Sequence, residues 1–203
     1  MCIRDSPQTL NLVATSISDY KDTNLISAER HSLLKGAVIY GANASGKSNF
    51  IRAMSTMRRI VMFSIEQSST SSLEVTPFLL STETEDKPSM FEILFEIKKV
   101  RYRYGFEVTN KLIKREWLFE AAKKVEKLLF LREKNEIEIS SKFKEGKNLE
   151  EKTRANALFL SVVDQFNGPT AKKVMNWFKN FIVISGLSHE DYELGTILSL
   201  IHI

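Results

Sequence analysis

One eight-residue string constrains this chain more than any other: Gly41-Ala42-Asn43-Ala44-Ser45-Gly46-Lys47-Ser48, followed by Asn49. The pattern G-x-x-x-x-G-K-S needs three things around it, and the neighbouring sequence offers them. Upstream, Ala37-Val-Ile-Tyr40 is a short apolar run that predicts a buried strand. Downstream, Phe50, Met54, Met57 and Val61 recur at helical spacing with Ile51 beside them. Strand, glycine-rich turn and helix are the parts of a phosphate-binding P-loop. The glycines let backbone N–H groups converge on an anion, and the helix aims its positive end at it. Lys47 supplies a charge for the β- and γ-phosphates and Ser48 a hydroxyl for Mg2+. The expected ligand is a nucleoside triphosphate. Asn43 has two readings, one close to the γ-phosphate and one as an ordinary turn asparagine.

The two ends share an unusual origin. Met1-Cys-Ile-Arg-Asp-Ser6 back-translates to a DNA string whose reverse complement encodes Leu-Ser-Leu-Ile-His-Ile, which is Leu198 to Ile203. That string resembles a transposase end used in preparing sequencing libraries. Residues 1–6 and 198–203 are therefore expected to be adapter-derived, and such segments are left out of fold reasoning. The expected genuine segment is 7–197, an internal piece of a longer protein.

Composition excludes several classes. The chain is 43% apolar and 27% charged, as in ordinary globular domains. A net charge of +4 permits contact with nucleic acid without arguing for it. The single cysteine, Cys2, sits in the terminal string, so no disulfide framework or cysteine metal site is available, which fits a cytoplasmic setting. His31 and His189 are isolated. No apolar run approaches the ~20 residues of a membrane span.

Periodicity orders the rest. Leu10, Leu12 and Ala14 alternate and predict one short strand. Residues 64–76, rich in serine and threonine, predict an exposed loop. Residues 91–97 and 101–108 alternate with period two around Lys98-Lys99 and predict a hairpin. Residues 113–121, with Trp117 and Phe119 on one face, 128–132 and 136–139 complete an antiparallel meander of roughly five strands. Residues 155–166 predict a helix, broken by Gly168-Pro169, and a second helix runs to about Asn180. Phe181-Ile-Val-Ile184 predicts a buried strand.

Hydrolysis needs acidic residues at the end of such a strand, one for Mg2+ and one for water. Ser185-Gly186-Leu187 supplies none, while Glu190 and Asp191 read as solvated loop carboxylates. No Leu-Ser-Gly-Gly string occurs. The chain is expected to bind nucleotide poorly and to hydrolyse it barely. Asn110-Lys111-Leu112-Ile113 lacks the carboxylate that reads guanine, which favours ATP.

A P-loop followed by an antiparallel meander and then helices resembles the ABC-type ATPase head shared by SMC proteins and OLD-family nucleases. The likeness is nearest to prokaryotic AAA family ATPases, or ATP-GTP phosphatases, often linked to phage defence. It rests on Ala37 to Asn49, Phe91-Glu-Ile-Leu-Phe95, Tyr102-Arg-Tyr-Gly-Phe-Glu-Val108, Arg115-Glu-Trp-Leu-Phe-Glu120 and Asn156-Ala-Leu-Phe-Leu-Ser161, and covers nearly all of 8–186. The family's opening strand and Phe-Arg-Ser-Phe-like turn are missing, which leaves the base pocket incomplete.

The resemblance implies an α/β P-loop NTPase, an ABC-type head lobe with strand, P-loop and helix, then the meander and C-terminal helices. It implies a homodimer of heads sandwiching ATP and Mg2+ and driving an effector. It offers Gln165 as the inter-lobe glutamine that reaches Mg2+ and water, against a plain exposed helix glutamine. A nucleotide-regulated DNA-binding or nuclease module is the alternative. For that module, Lys98, Lys99, Arg101 and Arg103 are either a DNA contact or a solvated rim. The aromatic faces read as core before they read as a base-stacking platform.

Overall fold

In the computed structural model, residues 8–15, 20–27, 31–75, 87–122 and 125–184 are described. Both terminal strings, Glu190, Asp191 and His189 lie outside them. A small N-terminal unit holds a helical turn α1 (Lys21–Asn24) and the paired strands β1 (Leu25–Ser27) and β2 (Ser32–Leu34). The strand expected around Leu10 to Ala14 reduces to one bridge, Val13 with Leu33. Then come the P-loop and α2 (Lys47–Phe63). The meander is β3 (Ser89–Ile97), β4 (Val100–Val108), β5 (Ile113–Ala121), β6 (Lys127–Glu133) and β7 (Glu136–Ile139). A 3-10 turn at Lys144–Gly146, α3 (Phe159–Gln165) and α4 (Pro169–Asn180) follow.

The five strands pair in sequence order, all antiparallel. Lys98 and Lys99 both take positive φ, 48° and 67°, the conformation of a two-residue hairpin turn that matches strand twist. Register then puts Phe91 opposite Phe106, Ile93 opposite Tyr104 and Phe95 opposite Tyr102. These side chains face the helices. Phe95, Tyr104 and Phe178 of α4 form one aromatic cluster, and Phe130, Phe143 and Phe159 of α3 form another. The C-terminal half of α2 closes the core with Met57, Ile60 and Val61.

On β5 the core face is not the aromatic one. Glu116 and Leu118 point inward and are fully buried, so Trp117 and Phe119 lie on the outer face. There Arg103 stacks 4.1 Å over the Phe119 ring. The Trp117 indole lies across Gly105, where an added Cβ would come within 2.5 Å of the ring. Its Nε1 donates to Glu92 at 2.8 Å. Guanidinium stacking and a glycine berth let large rings sit on the solvent side of a sheet.

Neither short C-terminal helix has a side-chain cap of its own at its first residue. Each borrows a carboxylate. Glu116 accepts from the backbone N–H of Phe159 at 2.6 Å and of Leu160 at 3.0 Å. Glu145 accepts from Thr170 and Ala171 at 2.8 and 3.0 Å. A carboxylate at a helix N-terminus satisfies orphan donors and meets the positive end of the dipole.

Four expectations need correction. The segment 37–40 is not a buried strand: it is extended, with Val38 72% and Tyr40 87% exposed. A strand exists only through ladder partners, and among the described residues none runs beside it. The segment 181–184 likewise forms no strand, and Ile182 and Ile184 are exposed. The helix expected from 155 starts at Phe159, because Arg132 holds the carbonyls of Arg154 and Ala157, at 3.2 and 2.6 Å, in a non-helical turn. The serine-rich stretch is a loop as expected but is not exposed throughout: Ser64, Leu73 and Val75 are buried.

Candidate functional site

The loop 41–46 turns through two left-handed residues, Ala44 (φ 62°) and Gly46 (φ 97°). Only glycine takes the second without strain, which is why Gly46 can hand the chain straight into α2. Gly46 is the N-cap and has no side chain to satisfy the helix, and no acidic residue occupies the first turn. The N–H groups of Ala44, Gly46, Lys47 and Ser48 donate to no backbone carbonyl among the described residues. A helix end with free donors and no counter-charge is an anion site.

Lys47 lies across this end. Its Nζ donates to the carbonyls of Gly41 at 2.6 Å and Ala42 at 2.7 Å, with Ser45 Oγ at 3.5 Å. The ammonium is thus held at the mouth of the loop, and no carboxylate among the described residues pairs with it. Ser48 is exposed one residue on, and Asn43 is exposed at the loop tip. The donor set fits a triphosphate with Mg2+: free N–H groups, one fixed ammonium, and a hydroxyl of the kind that ligates a hard cation.

The profile of the family described as "AAA domain, putative AbiEii toxin, Type IV TA system" matches residues 37–191. The chain belongs to this AAA domain family. Nucleotide binding and ATPase-type activity come with that family. The matched region of this AAA domain starts at the apolar run before the P-loop and takes in the whole meander, α3 and α4. No curated protein and no solved structure matches the chain.

Within the AAA domain the predicted site residues separate into two groups. Residues 41–49 share one loop and one helix start. Gln165 ends α3, is exposed, and makes no hydrogen bond to the P-loop among the described residues. The cations proposed for DNA divide as well. Arg103 pairs with Glu92 at 3.2 Å and Glu126 at 3.0 Å, and Arg101 with Glu126 at 3.4 Å. Lys98 and Lys99 form the exposed turn. Among the described residues no cluster of histidine, cysteine or carboxylates has the makings of a metal site, and no helix is long and apolar enough to cross a membrane.

Sequence reasoning missed the buried group behind α3. Glu116 accepts from Tyr104 Oη at 3.0 Å and stands 3.9 Å from the Arg132 guanidinium. Burial pushes the Glu116 carboxyl above its ordinary range, opposed by Arg132 and by the two helix N–H donors. Both of its oxygens accept hydrogen bonds, which is the role of the ionised form. Burial also lowers Arg132 and raises Tyr104. A signal was present: Glu116 shares parity with Leu118, and Arg132 with Phe130. The aromatic pair Trp117 and Phe119 hid it by marking the other face as apolar.

Proposed function

We propose that this AAA domain binds ATP with Mg2+ at residues 41–49 and works as the nucleotide-binding head of an ABC-type ATPase. One observation carries the reading: α2 begins with free N–H groups, no acidic residue in its first turn and an ammonium at its mouth. The N–H groups and Lys47 hold the phosphates. Ser48 would offer its hydroxyl to Mg2+, which would supply positive charge to neutralise the phosphates. Gln165 is the candidate inter-lobe glutamine, a role that requires its amide to reach the loop when nucleotide or a second head is present. Two heads then enclose two nucleotides and drive an effector, with a role in defence against phage as the setting. The DNA-binding or nuclease alternative is weakened by the pairing of Arg101 and Arg103, which leaves Lys98 and Lys99 of that cluster for a phosphate backbone.

The test is Lys47→Ala. A charge-assisted phosphate contact is worth about 1.5–3 kcal/mol, so the dissociation constant for ATP should rise roughly 10- to 150-fold. Isothermal titration with MgATP measures it. An unchanged affinity removes this loop as the nucleotide site.

A further inference from the structure

The segment 154–161 is bonded on two sides. On the sheet side, Arg132 takes the carbonyls of Arg154 and Ala157, and Glu116 takes the N–H groups of Phe159 and Leu160. On the helix side, Ser161 Oγ donates to the carbonyl of Val61 at 2.9 Å, and the N–H of Leu158 to Ser64 Oγ at 3.3 Å. Arg154 reaches the carbonyl of Ile65 at 2.8 Å, just past the end of α2. The same segment becomes α3 and ends at Gln165.

We infer that Glu116 and Arg132 form a positioning clamp, which holds 154–161 against the C-terminal turn of α2 so that nucleotide binding at the other end of α2 is felt by α3 and Gln165. The inference rests on the nucleotide reading above. Its mechanical part follows from α2 itself. The helix runs 17 residues with neither proline nor glycine inside it. Lys47 and Val61 are therefore joined by a rigid rod of about 21 Å. A shift of the first turn as its N–H groups close on phosphate is carried to Val61 and Ser64. There it meets bonds that belong to the start of α3. An apolar pair in place of Glu116 and Arg132 would fill the space as stably. It would not fix the register of α3, because only directed bonds to the N–H and C=O groups of 154–160 do that. Neither residue lies in the nucleotide site: Glu116 is 0% and Arg132 1% exposed, and both act through α3.

Amide hydrogen exchange with and without a non-hydrolysable ATP analogue and Mg2+ tests this. In the parent chain, at a free nucleotide about 100 times its dissociation constant, loop amides that exchange only from the free state should slow roughly 100-fold. The amides of α3 should change with them. In Glu116→Gln the loop protection should persist and the α3 response should vanish. Ser161→Ala, which cuts the tie to Val61 and leaves the buried pair intact, should also lose it, and it decides the matter if Glu116→Gln does not fold. A merely structural clamp would alter α3 exchange equally with and without nucleotide. Loop protection with a silent α3 in the parent chain overturns the clamp alone, as does an α3 response that survives in the folded variants. Absence of loop protection overturns the nucleotide reading and the clamp with it.

Discussion

Arg132→Met isolates the energetics of the buried pair. Methionine keeps most of the side-chain volume, so the cavity term is small. What is lost is directional. Arg132 donates to the carbonyls of Lys134 at 2.7 Å, Ala157 at 2.6 Å and Arg154 at 3.2 Å, and it is the only counter-charge within 4 Å of Glu116 among the described residues. Removing one member of a buried pair costs about 3–5 kcal/mol, mostly because the other charge stays behind. Against a total stability of 5–15 kcal/mol for a typical domain, that is a large fraction.

The cost depends on pH with a definite sign. In the folded parent burial already holds the Glu116 carboxyl above the ordinary carboxylate range, while Arg132 pulls it down. Without Arg132 it rises further. A group whose folded value exceeds its unfolded value contributes its full stability below the unfolded value and loses it as pH climbs through the folded one. The deficit of Arg132→Met relative to the parent should therefore be larger at pH 8 than at pH 5, where Glu116 can take up a proton and be buried neutral. Urea unfolding followed by circular dichroism measures it. With a slope of about 2 kcal/mol/M, the midpoint should fall by roughly 2 M at pH 8. A shift below about 0.5 M, or one equal at both pH values, refutes the assignment of a buried ion pair. Glu116→Leu/Arg132→Met should recover much of the loss, less the cost of the two N–H groups orphaned at α3.

Glu145→Ala orphans the N–H groups of Thr170 and Ala171, so it should cost about 1–2 kcal/mol, read as a lower urea midpoint with an unchanged slope. Gly105→Ala drives a methyl into the Trp117 ring and toward the Phe91 carbonyl, at 2.5 and 2.7 Å. It should cost roughly 1–3 kcal/mol and shift tryptophan fluorescence as the indole lifts away from Glu92.

Local signals carried most of the fold. The meander was legible because alternation with period two is written into 91–97 and 101–108, and because Lys98-Lys99 leaves room for only a tight turn. The helix α4 was legible from Gly168-Pro169 and from Val174 and Phe178. The P-loop was legible because its signature is contiguous: the glycines, the lysine and the hydroxyl come from neighbouring residues. What failed was non-local. Whether Ala37 to Tyr40 becomes a strand depends on a partner that its own letters do not contain. Whether 155–158 is helical depends on Arg132, more than twenty residues away. Which face of β5 is core depends on a carboxylate whose partners come from three other elements. Gln165 is a case of the same kind, since its proposed role depends on where α3 lies relative to α2.

These failures bear on function through one shared element. The C-terminal half of α2 is locked, with Ile60 and Val61 buried and Ser64 bonded to Leu158. The N-terminal half is open: Phe50 and Met54 are only half-buried, and the chain leading into the loop is extended and exposed. The P-loop is thus fixed from the helix side alone. Affinity in such a site is lowered by the fraction of time the loop is not in its binding shape. The Lys47 bonds to Gly41 and Ala42 work against that loss, because they tie the helix start back to the loop entrance. Lys47 therefore combines the cross-loop tie with the proposed phosphate contact, and one substitution removes both. Lys47→Arg separates them: a guanidinium keeps the charge but, being planar and forked, does not reproduce the two convergent bonds of an ammonium. A loss of affinity close to that of Lys47→Ala means the tie, and with it the order of the loop, contributes as much as the charge.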